Sequence, residues 1–440
     1  MRGWSAERVA EAAGARLVET GRGADGPGPK RVVIDSREVR PGDLFVGLPG
    51  ERVDGGRFAA DALGAGAWGV LVDDGWAGVE DPTGAGAVLV ASDPLAALQD
   101  LANAWRHALG AKVVGVTGST GKTSTKDLLA AMLAPELRVV ATPQNLNTEI
   151  GLPLAILRAP EGTEALVLEM AMRGPGQIAE LAEIAEPDVG VIVNVGPVHL
   201  EKLGTIEDIA AAKAELLQGL RPGALAVVPA GEKLLEPYLR DDLEVVTFGP
   251  GGDLSELPPG LELTVGGHEP PAHLRANALA ALAAARALGV EPRGRIDVEL
   301  SAMRGQRTTT PGGVLVIDDC YNANPMSMRA ALDDLAGTAP PRDGGRRIAV
   351  LGDMLELGPD EVRFHEEIGA HARRRGVDVL VTVGPLARHM GPAFGGETHH
   401  APDAAAAAEL VDGLVAAGDV VLIKASRGVG LEAVAQRLTG

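Results

Sequence analysis

The chain has 440 residues, 46% apolar and 23% charged, with a formal net charge of −20 at pH 7. That length exceeds what one core serves and points to two or three domains, while the acidic balance argues against a nucleic-acid partner, which favours a basic face. A lone cysteine, Cys320, excludes an internal disulfide framework and a cysteine-rich zinc site.

The N-terminus, MRGWSAERVAEAAGARL, spaces its charges every few residues and lacks the apolar core of a signal peptide. The alanine-rich run 276–290 is interrupted by Arg286 and is too short to span a bilayer, so a cytoplasmic protein without membrane insertion is expected. RVVIDSREV and GDLFVGL read as strands, FAADALGAGA as a helix and WGVLV as a further strand. A helix rich in Ala and Leu, Pro94–Leu109, leads out of this first block.

A second block opens with the strand Lys112–Thr117 and continues with the apolar strands ALVLEM (165–170) and DVGVIVNV (188–195), separated by helical segments. Such alternation predicts a parallel sheet covered on both faces, with ligands bound just beyond the carboxyl ends of the strands. GPGGDLSELPPG (249–260) reads as a surface loop or a small β-excursion rather than core. From near Gly312 the α/β rhythm repeats in VLVIDD, RIAVLGD, DVLVTVG and DVVLIKA, followed by a closing helix. The expected division is 1–110, 111–311 and 312–440.

VVGVTGSTGKTSTK (113–126) sets Gly115, Gly118 and Gly121 between a strand and a helix. Glycines there let backbone N–H groups approach phosphate oxygens at the positive end of the helix. Lys122 can reach β- and γ-phosphates, and the Thr123 hydroxyl can ligate Mg²⁺. Val116 stands where the common G-x-x-x-x-G-K-T loop begins with glycine. Glu169 and His199 follow neighbouring strands, where a carboxylate and an imidazole either complete a metal site or merely shape loops.

Lys213, in TIEDIAAAKAELL, reads from periodicity as a solvated helix lysine, with Thr205 and Asp208 forming a capping box. Asp318 and Asp319 suit a ribose hydroxyl or a metal, and Asn322 and Asn324 suit a turn. Lys424, Ser426 and Arg427, between a strand and a helix, suit an anion site or a helix cap. Neither G-x-S-x-G nor H-E-x-x-H occurs, and few aromatic side chains are available for base stacking, so hydrolase and RNA-binding readings are weak.

TGSTGKTSTK, TPQNLNTEIGLPL (142–154), LEMAMRGPGQI (168–178), NVGPVHLEKLG (194–204), AKAEL (212–216) and HLRANALAALAAA (273–285) occur in that order. The series resembles the ATPase domain of the Mur ligase family, the ATP-dependent amide-bond-forming enzymes of peptidoglycan precursor synthesis. The likeness runs from about Val32 to the last helix. DDCYNANPMSMRAAL (318–332), LGDMLELG (351–358) and VLIKASRG (421–428) are similar to the branch that adds D-alanyl-D-alanine. DSREVRPGDLFVGLPGERVDGG (35–56) resembles a uridine-nucleotide-binding front domain.

The resemblance implies an α/β fold of three domains: an α/β uridine-nucleotide-binding front domain, a central P-loop-type ATPase with a mainly parallel sheet, and a Rossmann-like C-terminal domain. It implies that ATP phosphorylates the terminal carboxylate of UDP-N-acetylmuramoyl-tripeptide and that the amine of D-Ala-D-Ala attacks the acyl phosphate. Gly118, Ser119, Thr120, Gly121, Lys122, Thr123 and Ser124 would take the ATP phosphates, Asn277 the adenine side, and Arg304 and Asp319 the nucleotide from the C-terminal side. Thr123, Glu169, His199 and Lys213, the last as a carbamate, would hold a pair of Mg²⁺ ions, with Lys122, Lys213, His199 and Glu169 serving catalysis.

Ser36, Arg37, Asn145, Asn147 and Thr148 would contact the UDP substrate, and Asn324, Ser426 and Arg427 the dipeptide. The chain departs from the family pattern at Gly56, where histidine is usual, and at Ala171, Met303 and Ala425, where glycine is. A monomer is expected. The alternatives are a Mur-type or folylpolyglutamate-type ligase with another amino acceptor, and a non-catalytic nucleotide-binding module of the same fold.

Overall fold

The structure, a computed structural model, describes residues 1, 3–20, 27–76, 86–143, 145–198 and 200–440. The front sheet has five strands in the order Arg16–Thr20, Ala87–Val90, Gly69–Val72, Leu44–Val46 and Val32–Val33, of which the first runs antiparallel. Only Val32–Val33 of RVVIDSREV is strand. The Asp35 carboxylate accepts the Arg37 N–H at 3.0 Å and bends the chain into a 3-10 turn, Ser36–Glu38, so local side-chain chemistry overrides the β pattern.

Helix Pro94–Leu109 forms as read. Asp93 accepts the N–H groups of Leu95 and Ala96, Pro94 opens the first turn, and Gly110 at φ 63 ends the helix. Trp105 on this helix packs edge-on against Trp4, with centroids 5.4 Å apart, and donates from Nε1 to the Ala159 carbonyl at 3.0 Å. That bond ties the front domain to the central one.

The central sheet has six parallel strands in the order Glu244–Phe248, Leu225–Pro229, Val189–Ile192, Lys112–Thr117, Ala165–Glu169 and Val139–Ala141. Alternate residues of each strand feed two cores. Val113 and Leu166 pack with helices Gln177–Ala185 and Ile206–Gln218, whereas Val114 and Val167 pack with helices Lys122–Leu133 and Ala272–Ala287. Because Lys112–Thr117 lies between Val189–Ile192 and Ala165–Glu169, the chain beyond these strands brings Gly118, Asn194 and Glu169 to one end of the sheet. The Thr205–Asp208 capping box opens Ile206–Gln218 as read.

The C-terminal sheet runs Gln306–Thr309, Leu315–Asp318, Val420–Lys424, Arg347–Gly352, Val379–Val383 and Glu397–Ala401, with only the first strand antiparallel. Among the described residues no helix is long and apolar enough to cross a membrane.

Candidate active site

A cleft of about 390 Å³ separates the end of the central sheet from the C-terminal domain, lined by Ser119–Ser124 on one side and by Arg304, Asp319, Asn324 and Lys424 on the other. The loop that follows Lys112–Thr117 is shaped by the neighbouring strand. Asn194 Oδ1 accepts the Thr120 N–H at 2.9 Å, its Nδ2 donates to the Thr120 carbonyl at 3.1 Å, and Ser119 Oγ donates to the Gly196 carbonyl at 2.9 Å. Val116 is fully buried in the strand, so the missing glycine falls in sheet rather than in loop.

Gly121 adopts φ 76 immediately before helix Lys122–Leu133, whose first N–H groups carry no side-chain cap and face the cleft end. A Cβ at Gly121 would lie 2.7 Å from Asn277 Nδ2, so glycine is required there on two counts. Lys122 Nζ donates to the Gly118 carbonyl at 2.8 Å. Burial pulls its pKa down, opposed by Glu169 and reinforced by Arg304.

The carboxylate of Glu169, only 2% exposed, accepts Thr123 Oγ1 and Asn147 Nδ2, each at 2.8 Å. Three residues singled out in separate sequence segments therefore meet. Lys213 is also 2% exposed, and among the described residues none accepts a hydrogen bond from its side chain. The solvated-helix reading of Lys213 is overturned: the face of Ile206–Gln218 that carries it is turned into the domain. Burial, followed by the charge of Lys122, holds its pKa well below the ordinary lysine value. His199 lies outside the described residues.

Across the cleft, the two aspartates divide. Asp318 turns back to accept the N–H and thiol of Cys320, at 3.2 and 2.8 Å, and burial raises its pKa. Asp319 faces the cleft and is held by Lys424, 2% exposed, whose Nζ donates to Asp319 Oδ2 at 2.7 Å and to the Asn322 carbonyl at 2.9 Å. Asn324 caps helix Pro325–Gly337 in a capping box with Ser327. Ser426 is buried, accepting the Leu355 N–H at 3.0 Å and donating to the Ala323 carbonyl at 3.3 Å. Arg427 is more open, paired with Glu432 at 3.4 Å.

Arg304 stacks on Tyr321 with Cζ 4.0 Å from the ring centroid. Met303, before it, adopts φ 60, a conformation that suits the glycine of the family pattern. Met326 reaches over from the C-terminal domain, placing its sulfur 3.3 Å from Thr120 Oγ1. Asn194, Met326 and His273, which also lines the cleft, carry no assignment from sequence. Asn194 had a signal, since it directly follows the strand beside the nucleotide loop.

The remaining residues named from sequence lie off this cleft. Asn145 is exposed, and Thr148 Oγ1 accepts the Gly151 N–H at 3.4 Å. Arg37 is exposed on the front domain and paired with Asp35, with Ser36 beside it. At Gly56 a Cβ would lie 2.2 Å from Trp76 Cδ1, so the indole, whose Nε1 donates to Asp54 at 3.1 Å, fills the space of a side chain.

Three family descriptions match the chain in succession: Mur ligase family, catalytic domain, over residues 30–106; Mur ligase middle domain over 116–285; and Mur ligase, glutamate ligase domain, over 303–427. A UDP-N-acetylmuramoyl-tripeptide–D-alanyl-D-alanine ligase of Bacillus subtilis is 37% identical over 92% of this chain and 92% of its own. The chain belongs to the Mur ligase family. A solved MurF from Acinetobacter baumannii matches this Mur ligase with a TM-score of 0.81 at 28% identity, covering 99% of this chain and 98% of that one. The MurF ligase of Thermotoga maritima, solved in complex with ADP, matches with a TM-score of 0.79 at 32% identity, covering 93% and 96%. The α/β class and the three-domain organisation expected of a Mur ligase are thus both met.

Proposed function

We infer that this Mur ligase uses ATP to join D-alanyl-D-alanine to UDP-N-acetylmuramoyl-tripeptide in peptidoglycan precursor synthesis. The observation that carries the reading is the cleft itself, with a phosphate-type loop on the central wall and the Lys424-held Asp319 turn on the other. The ATP phosphates would lie over the N–H groups that open helix Lys122–Leu133, with Lys122 against the transferred phosphoryl group and Asp319 and Arg304 reaching the nucleotide from the far wall.

The γ-phosphoryl group passes to the terminal carboxylate of the tripeptide: a carboxylate oxygen bonds to phosphorus and ADP leaves. The dipeptide amine then attacks the acyl carbon, forms the amide, loses a proton and expels phosphate. Water must be kept from the acyl phosphate, and the contact of Met326 with Thr120 closes the cleft beside the nucleotide loop.

Mg²⁺ fits the donor chemistry, because Thr123 Oγ1 and the Glu169 carboxylate are oxygen ligands already 2.8 Å apart in a buried setting. Among the described residues no cluster of His, Cys, Asp and Glu forms a ready cage, so Thr123 and Glu169 would hold the ion together with nucleotide oxygens, His199 and a carbamate on Lys213. When bound, the ion supplies charge neutralisation on the phosphoryl group. Lys213 suits carbamate formation because burial favours the neutral amine, the form that adds CO₂. Ser36 and Arg37 on the front domain, with Asn145, Asn147 and Thr148, would meet the UDP substrate, and Asn324, Ser426 and Arg427 would frame the dipeptide. Use of ATP as co-substrate supports a cytoplasmic reaction.

The acyl phosphate is tested by labelling the terminal tripeptide carboxylate with ¹⁸O. One labelled oxygen is expected in the released phosphate. Unlabelled phosphate would rule out carboxylate activation by phosphoryl transfer.

A further inference from the structure

The linker between the central and C-terminal domains is anchored by charged residues that the nucleotide loop does not use. Lys126 and Asp127 sit in sequence on helix Lys122–Leu133, where neighbouring side chains normally diverge. Here Lys126 Nζ and Asp127 Oδ1 meet at 2.7 Å, with side-chain exposures of 4% and 11%. They converge because both reach Ser301. Asp127 accepts the Ser301 N–H at 2.8 Å and its hydroxyl at 3.2 Å, and Lys126 Nζ lies 3.4 Å from Ser301 Oγ.

Lys126 also donates to the Thr142 carbonyl at 2.9 Å, and Thr142 Oγ1 accepts the Glu169 N–H at 2.9 Å. One buried pair thus joins the nucleotide-loop helix, the support of Glu169 and the start of the linker. On the far side, the Gly305 N–H donates to the Asp318 carbonyl at 2.8 Å and the Tyr321 N–H to the Met303 carbonyl at 3.3 Å, just before the C-terminal sheet begins at Gln306. Little free chain separates the two anchorages. Met303, at φ 60, is held in a left-handed conformation that disfavours a side chain, and Gly305 follows at φ 80. Arg304, between them, lines the cleft.

We propose that Lys126 and Asp127 are positioning residues: they clamp the central-domain end of the linker at Ser301, confine interdomain rotation to the chain around Ala302 between Ser301 and Met303, and so set where Arg304 and Asp319 arrive over the nucleotide. The proposal rests on the ligase reading of the cleft. Neither residue touches the nucleotide loop's phosphate-facing groups, so their loss should affect turnover and closure without affecting the first capture of nucleotide.

The test compares Asp127→Asn, which keeps an acceptor for the Ser301 N–H, with Asp127→Ala, which does not, and with Ser301→Ala. Wild-type turnover is measured first, then kcat, ADP affinity, thermal stability and the distance distribution between fluorophores on the central and C-terminal domains. A small misplacement of reacting groups can lower rates by about 100-fold, so kcat is expected to fall by about 10- to 100-fold in Asp127→Ala and less in Asp127→Asn and Ser301→Ala. ADP affinity should stay within about twofold, or about 0.4 kcal/mol, and nucleotide should no longer narrow the distance distribution in Asp127→Ala. Unchanged kcat and narrowing in Asp127→Ala would overturn the clamp, as would losses of kcat, ADP affinity and melting temperature in parallel. If the wild type has no ligase turnover, the reading of the cleft fails, while the distance and ADP measurements still decide the clamp.

Discussion

Replacing Lys213 by methionine separates a structural lysine from a functional one. The side chain is 2% exposed and is among the largest fully buried ones, so methionine keeps most of its length and volume. Volume-conserving swaps of this kind change stability by less than about 1.5 kcal/mol, and no hydrogen-bond partner among the described residues is left stranded. For domains of this size each kcal/mol moves the melting temperature by about 2–4 °C, and because the wild type must bury an amine that ordinarily holds a proton, the variant should melt at or above the wild-type temperature at neutral pH. Turnover should fall by at least about 100-fold, or about 2.7 kcal/mol, the scale of losing one preorganised charge-stabilising group.

The pH dependence carries a second signature. The folded-state pKa of Lys213 lies well below the ordinary lysine value, so across the window between them the unfolded chain binds a proton that the folded chain does not. Wild-type stability therefore rises with pH through that window and is lost as pH falls towards the folded value. Lys213→Met should flatten that rise. Coupled ADP-release assays with and without added bicarbonate, and thermal unfolding across pH, measure both effects. Wild-type turnover in the variant, with an unchanged pH slope, would refute the reasoning.

Gly121→Ala forces a side chain into a φ of 76 and towards Asn277; a left-handed residue costs about 1–2 kcal/mol, so the KM for ATP should rise about tenfold while that for the UDP substrate holds in steady-state kinetics. Lys424→Met leaves Asp319 without its buried partner; calorimetry should register about 3 kcal/mol of destabilisation, and adding Asp319→Asn should restore part of the stability but not the turnover. Gly56→Ala drives a Cβ into the Trp76 indole; unfolding should show a loss of about 1–3 kcal/mol, accompanied by a change in tryptophan emission that is absent in a Trp76→Phe background.

Much of the architecture is legible in the sequence where one physical signal dominates. Lys112–Thr117 and Val420–Lys424 read as strands because parallel strands buried on both faces are continuous apolar runs. Arg16–Thr20, Gln306–Thr309 and Glu397–Ala401 do not, because they lie at sheet edges and their compositions are polar. In the site, the loop and Glu169 are found by looking just past apolar runs. Lys213 is misread by periodicity because its helix face meets the interior of the site rather than solvent. The hold of Lys424 on Asp319 spans 105 positions and leaves no local pattern. Lys126 and Asp127 look like two ordinary helix charges until Ser301, 174 positions beyond Asp127, is seen between them.

The identity of the amino acceptor is tested most directly by ADP release from the purified protein with UDP-N-acetylmuramoyl-tripeptide, with D-Ala-D-Ala added or withheld. Release that depends on both substrates and yields the UDP-linked pentapeptide by mass spectrometry is the predicted result. Release indifferent to the dipeptide, or a product formed only with a single amino acid as acceptor, would contradict it.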